Sequence, residues 1–277
     1  MRGLSRVVVL LLLAGATVGC AATGGRAEVT RLPETAPVDV LVQGALDEEV
    51  RQLLAALEGK QEIPVAGWMF WRGTIGGRSV AVSRTDLGPL NAATATTLGI
   101  LTFRPRLVIN QGSAGAHLPE LRIFDVLVGR ATVDFGAFAS KPAPAGAGVS
   151  LARWQPLHYR LRIDGREQEF KQFPGDEALV GLALSTPYPH GRVLPAVLGS
   201  AFEFNNEIDR IDWVHRTYGT SSEDMESASA AGVALGLKTR FLAIRVIGNS
   251  AFLPDPPQPI SVSYLGQFVI DVIKRIP

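Results

Sequence analysis

The stretch Thr220-Ser-Ser-Glu-Asp-Met-Glu-Ser-Ala-Ser-Ala-Ala231 gathers three carboxylates, Glu223, Asp224 and Glu226, around Met225, then runs at once into small residues of helical character. Acids at a helix start suit the positive end of its dipole, and Ser221 and Ser222 are placed to cap it. On local grounds alone this reads as a well-made helix N-terminus. Two other stretches add a chemical reading. Gln43-Gly-Ala-Leu-Asp-Glu-Glu-Val50 brings Glu48 and Glu49 just past an apolar run, and Asn110-Gln-Gly-Ser-Ala-Gly-Ala116 brings Ser113 past another. With Glu226 and Asn249, these polar groups all sit where strands are expected to end. Open α/β sheets bind ligands there. The loop Gly112-Ser113-Ala114-Gly115 can turn backbone N–H groups toward a polar ligand.

Other chemistries lack their residues. The Gly-rich loop has no third Gly for a dinucleotide fingerprint and no Lys-Ser/Thr for a P-loop. No Gly-x-Ser-x-Gly elbow occurs. His117, His158, His190 and His215 have no metal-ligand spacing, so no metal is expected.

The elements that must position these residues alternate. Val38–Val42 reads as a buried strand and Leu46–Leu57 as an amphipathic helix. Trp68–Gly73 and Ser79–Ser83 read as a hairpin around Gly76-Gly77. Gly88–Leu101 reads as a helix, and Arg106–Asn110 as a strand ending in the Gly-rich loop. Asp125–Thr132 and Arg192–Leu198 are further strands, and Asn206–Thr217 a helix. Met225–Leu237 is a helix, Arg240–Ile247 a strand and Ile260–Ile276 a final helix. Residues 136–150 are low in complexity and read as a mobile loop. This order predicts one α/β domain over residues 37–277.

The chain has 277 residues, 47% hydrophobic, and a formal net charge of +1. That suffices for a sizeable core, and the charge gives no basic footprint for nucleic acid. Residues 1–20 differ in kind: Arg2 and Arg6 precede the apolar run Val7–Ala14, too short to span a bilayer as a stable helix, and small residues lead to Gly19-Cys20. They read as a secretory signal. Cys20 is the only cysteine, so no internal disulfide forms, and its setting resembles the lipidated cysteine of a bacterial lipoprotein signal. One departure is Thr17, where that motif usually has Leu. The expected product is an exported, periplasmic or cell-envelope protein, anchored to a membrane by lipid at Cys20. Residues 21–36 would be a flexible tether.

Five segments in this order resemble the nucleoside phosphorylase superfamily: Gly44-Ala-Leu-Asp-Glu-Glu-Val50, Gly88-x-x-Asn91-Ala-Ala, Asn110-Gln-Gly-Ser-Ala-Gly115, Glu223-Asp-Met-Glu226 and Arg245-Val-Ile-Gly-Asn249. Within it the likeness is greatest to methylthioadenosine/S-adenosylhomocysteine nucleosidases, and it covers residues 38–277. The resemblance implies a single α/β domain whose mixed, partly barrel-like central sheet is flanked by helices. It implies cleavage of the bond between ribose C1′ and a purine nitrogen through a ribosyl cation. Glu49 would then be the general base for water, with Ser113 and Arg245 helping to place that water. Glu226 would accept from the ribose hydroxyls, with Met225 beneath the sugar, and Ala114 and Gly115 would also be substrate-binding. Phe202 would stack on the purine, and the backbone of Phe202 and Glu203 would read the base edge. Asn249 would face purine N7. No cofactor is implied; a homodimer is, with the site near its interface.

Two departures matter. Phosphorylases of the superfamily carry Arg at Asn110 and a Gly-Asp-Pro phosphate loop at Gly44-Ala-Leu-Asp-Glu-Glu; without that Arg a phosphate loses its bidentate clamp, which favours water. The nucleosidases carry Asp at Asn249; an amide donates a hydrogen bond but not a proton. Asp255 is an alternative acid. The expected activity is purine nucleoside hydrolysis. The rivals are phosphorolysis, and a nucleoside-binding protein on the same fold without catalysis.

Overall fold

The apolar runs become central strands because both of their faces are covered, so they need no polar alternation. In β1 (Val40–Gly44), Val40 and Val42 enter one core cluster while Leu41 enters another. The computed structural model describes residues 31–254, 256 and 258–277, and residues 32–277 form one compact unit. Cys20 and Asp255 lie outside the described residues.

After β1 come α1 (Asp47–Ala56) and an antiparallel meander of β2 (Glu58–Val65), β3 (Trp68–Ile75) and β4 (Arg78–Arg84). Then follow α2 (Pro89–Phe103), β5 (Leu107–Ala116) and β6 (Val126–Asp134). An excursion away from the main sheet holds β7 (Phe138–Ser140), β8 (Trp154–Pro156), β9 (Tyr159–Ile163) and β10 (Arg166–Phe170), paired as β7–β8 and β9–β10. The chain returns through β11 (Phe173–Pro174), α3 (Glu177–Leu184), β12 (Val193–Ser200) and α4 (Ile208–Tyr218). It finishes with β13 (Ser222–Asp224), α5 (Ser227–Gly236), β14 (Arg240–Ser250) and α6 (Ile260–Arg275).

Among the described residues the main sheet has ten strands. Five of them close on themselves: β6 pairs β12, β12 pairs β13, β13 pairs β5, β5 pairs β14, and β14 pairs β6. From this barrel β1, β4, β3 and β2 extend as a wing. Leu107, Ile109, Val126, Val128, Ile244 and Val246 pack with α1, α3 and α6, whereas Val108, Leu127, Ala243 and Ile247 pack with α2 and α5. The mixed, partly barrel-like sheet flanked by helices is thus present.

Two readings change, and three strands are added. The Gly-rich segment after Asn110 is strand, not loop: β5 runs on to Ala116, paired with β14 on one side and with Gly115 opposite Glu223 on the other. Residues 136–150 are partly structured, since Phe138–Ser140 pairs with Trp154–Pro156. The strands β2, β9 and β10 carry many exposed charged residues and gave no apolar signal.

Candidate active site

Glu49 sits in the first turn of α1, right after the β1 turn. Its carboxylate bends back so that Oε2 accepts the N–H groups of Ala45 (2.7 Å) and Leu46 (3.3 Å), closing the helix start. Oε1 accepts the N–H (2.9 Å) and hydroxyl (3.2 Å) of Ser113 from β5. The carboxylate is therefore both helix cap and bridge between two elements. Glycine is required for this approach: a Cβ on Gly112 would lie 2.8 Å from Glu49 Oε1.

Asp224, not Ser221 or Ser222, caps α5. Its Oδ1 accepts the N–H groups of Glu226 (2.9 Å) and Ser227 (2.8 Å), and its Oδ2 the Ser227 hydroxyl (2.7 Å). The fully buried Arg245 lies behind it, with Nε 3.0 Å from Asp224 Oδ2. Arg245 Nη1 donates to the Asn110 carbonyl (3.0 Å) and Nη2 to Asn110 Oδ1 (2.6 Å). Arg245 thus positions the carboxylate segment and β5. Its contacts replace the expected role of placing a water beside Ser113.

Glu226 takes a single protein donor, so most of its acceptor capacity is open. One oxygen takes the Gly88 N–H at 2.8 Å, across the turn into α2. Burial, and then the nearby Asp224 charge, push its pKa up to about 7, against the opposing pull of Arg245 and the Gly88 N–H.

These elements enclose a cavity of about 250 Å³. Glu49, Ser113, Ala114, Gly115, Glu203, Met225, Glu226 and Asn249 all line it, so eight of the expected residues are brought together. A second cavity of about 390 Å³ shares Leu46, Glu49, Ser113 and Asn249 and continues to Gln258 and Ser261. Asn249 is aimed by a bulge: the β14 register shifts between Ile247 and Asn249, setting Asn249 opposite Gly115. Phe202 does not line the main cavity. Its ring is 72% exposed and lies over Gly88, where a Cβ would come within 2.9 Å of it. The aromatic on the cavity wall is Phe204, two residues on, which the sequence reading passed over. Among the described residues of that wall are five carboxylates (Glu49, Glu203, Glu223, Asp224, Glu226) and no Lys or Arg. Asp224 and Glu203 are balanced by Arg245 and Arg210 behind the wall, whereas Glu49, Glu223 and Glu226 are bonded to no Lys or Arg among the described residues, so the wall stabilises a developing cation and opposes an anion.

A family model described as "Phosphorylase superfamily" matches residues 39–268. The chain belongs to this superfamily. Among its relatives, the 5'-methylthioadenosine/S-adenosylhomocysteine nucleosidase of Geobacillus thermodenitrificans (strain NG80-2) is 29% identical over 216 residues, spanning 75% of this chain and 82% of that protein. The protein of the same name from Marinomonas sp. (strain MWYL1) is 28% identical over 223 residues, with 77% and 86% covered. The fold matches the Neisseria meningitidis nucleosidase solved with methylthio-immucillin-A, with a TM-score of 0.70 at 21% identity over 86% of this chain and 99% of that one. It also matches the native futalosine hydrolase of Helicobacter pylori strain 26695, with a TM-score of 0.71 at 22% identity, covering 86% and 98%. A closed five-stranded barrel is therefore the superfamily's fold in this member.

Proposed function

We propose that this protein is an N-glycosyl hydrolase that cleaves purine nucleosides with water and releases the free base. The observation that carries the reading is the cavity wall, with five carboxylates and no cation among its described residues. A phosphate dianion would meet repulsion there, whereas a ribosyl cation would be stabilised. Glu49 takes a proton from the attacking water, whose oxygen bonds to ribose C1′. The C1′–N bond breaks, its electron pair leaves with the base, the base takes up a proton from solvent, and Glu49 gives its proton back to solvent. The Ser113 hydroxyl, within reach of Glu49, can turn to hold the water. Glu226 accepts from the ribose hydroxyls. Methylthioadenosine and S-adenosylhomocysteine are the substrates to try first, since relatives of 28–29% identity carry both in their names. Product analysis in phosphate-free buffer tests the reaction: free sugar and base are expected. Sugar 1-phosphate formed only with added phosphate would overturn it, and no turnover would leave a binding protein.

Two properties of the whole chain belong to the same reading. Leu90, 80% exposed on α2, and Leu87 on the cavity wall suit cover by a second copy, a homodimer; light scattering should give twice the chain mass. Export and lipid anchoring rest on Arg2 to Cys20. Cys20→Ser should move the protein from the membrane fraction to the soluble one; a membrane-bound Cys20→Ser protein would show that the apolar run is itself the anchor.

A further inference from the structure

The segment 201–207, between β12 and α4, has no helix or strand of its own, yet it supplies Glu203 and Phe204 to the cavity. Something must hold it. Asn205 donates its N–H to Glu223 Oε1 (2.8 Å) and its side-chain Nδ2 to Glu223 Oε2 (2.6 Å). Glu223 Oε2 also faces His117 Nε2 at 3.1 Å, and His117 Nδ1 faces the Thr220 hydroxyl at 2.7 Å. Glu223, His117 and Thr220 are all buried. The carboxylate opposite His117 makes Nε2 the donor, and the Thr220 hydroxyl can then donate to or accept from Nδ1. Three donors thus converge on one carboxylate, two of them from a single loop residue.

Glu223 lines the cavity, but its acceptor sites are largely filled by protein. Glu226, with one protein donor, is the more open of the two to a ligand. The loop is fastened at a second point by Arg210, whose Nη2 donates to both oxygens of Glu203 at 3.0 Å. Phe204 lies between these two fastenings. The strut behind the first one is rigid, because Glu223 stands on β13 opposite Gly115 of β5, and His117, the residue just after β5, donates its N–H to the Ser221 carbonyl just before β13.

We propose that Thr220, His117, Glu223 and Asn205 form a latch that positions the Glu203–Phe204 segment over the base half of the site. They are positioning residues, and they set affinity for the base rather than for the sugar. The proposal rests on the nucleosidase reading for the identity of the ligand, though not for the latch itself.

The test is a charge exchange between the two partners. Asn205→Asp sets two carboxylates against each other. Adding Glu223→Gln restores an amide–carboxylate pair in reverse. Asn205→Asp should raise KM for a nucleoside and Kd for free adenine or hypoxanthine about tenfold or more, while Kd for ribose stays within about twofold. The double variant should recover to within about threefold of wild type. Hydrogen exchange at amides 201–207 should rise in the single variant and fall back in the double, and this readout needs no ligand. Additive effects of the two substitutions, equal loss of ribose and purine, or unchanged exchange would each overturn the latch. A wild type that binds no purine would overturn the nucleosidase reading, leaving exchange to judge the latch. Should Asn205→Asp fail to fold, Asn205→Ala removes the side-chain donor and should show the same loss for purine over ribose and the same rise in exchange at 201–207; no change in either would overturn the latch.

Discussion

Nucleoside binding should strip a proton from Glu226. In the free protein its pKa stands at about 7, raised first by burial and next by Asp224. Two ribose hydroxyls both donate, and only the ionised carboxylate can accept both fully. If binding returns the group to its ordinary value of 4.5, Kd should be about 30-fold weaker at pH 5.5 than at pH 8, about 2 kcal/mol. Roughly 0.9 proton should be released per nucleoside at pH 6, about half that at pH 7, and little at pH 8. Calorimetry in two buffers of different ionisation enthalpy counts these protons directly. The same shift acts on folding. The folded value lies above the unfolded one, so the unfolded chain binds fewer protons between pH 4.5 and 7, and stability falls as pH rises through that window. The penalty is absent below 4.5 and complete above 7, on the order of 3 kcal/mol. Glu226→Gln should remove both the proton release and this slope. A Kd flat from pH 5.5 to 8, or proton release unchanged in Glu226→Gln, would refute the reasoning.

Asn249→Asp should speed methylthioadenosine cleavage by about 10²-fold, since a proton donor to N7 is restored, and slow inosine cleavage, since a carboxylate repels O6. An unchanged ratio of the two rates would show that Asn249 does not read the base. Arg245→Ala strands the buried Asp224 charge and should cost about 3–5 kcal/mol of stability by denaturant melting. Because Arg245 holds the Glu226 pKa down, the midpoint of the pH–Kd profile should also move upward in that variant; a fixed midpoint would separate Arg245 from the site.

The central strands were legible because burial on both faces leaves long apolar runs, as at Val40–Val42 and Leu107–Ile109. The glycines of Gln111–Ala116 misled, because Gly112 is there to admit the Glu49 carboxylate into a strand, not to make a turn. Glu49 and Glu226 stood out through their neighbours in sequence. Their partners did not: Gly88 and Glu226 meet across 138 positions, and His117 and Glu223 across 106. No local pattern marks such a meeting. Motif position points to Phe202 and says nothing of Phe204, and only the path of the loop separates a ring over Gly88 from one on the cavity wall. Asp224 rather than Ser221 or Ser222 closes the start of α5 because the helix begins only at Ser227, and β13 carries the two serines away from its first N–H groups.

The most direct test of the central claim, that Glu49 activates water, is the rate of base release by Glu49→Gln in phosphate-free buffer, with nucleoside binding measured in parallel. Gln keeps the shape but leaves an amide that cannot take the proton, so the rate should fall by about 10²–10⁴ while binding persists. Turnover near the wild-type rate with binding intact would contradict the account.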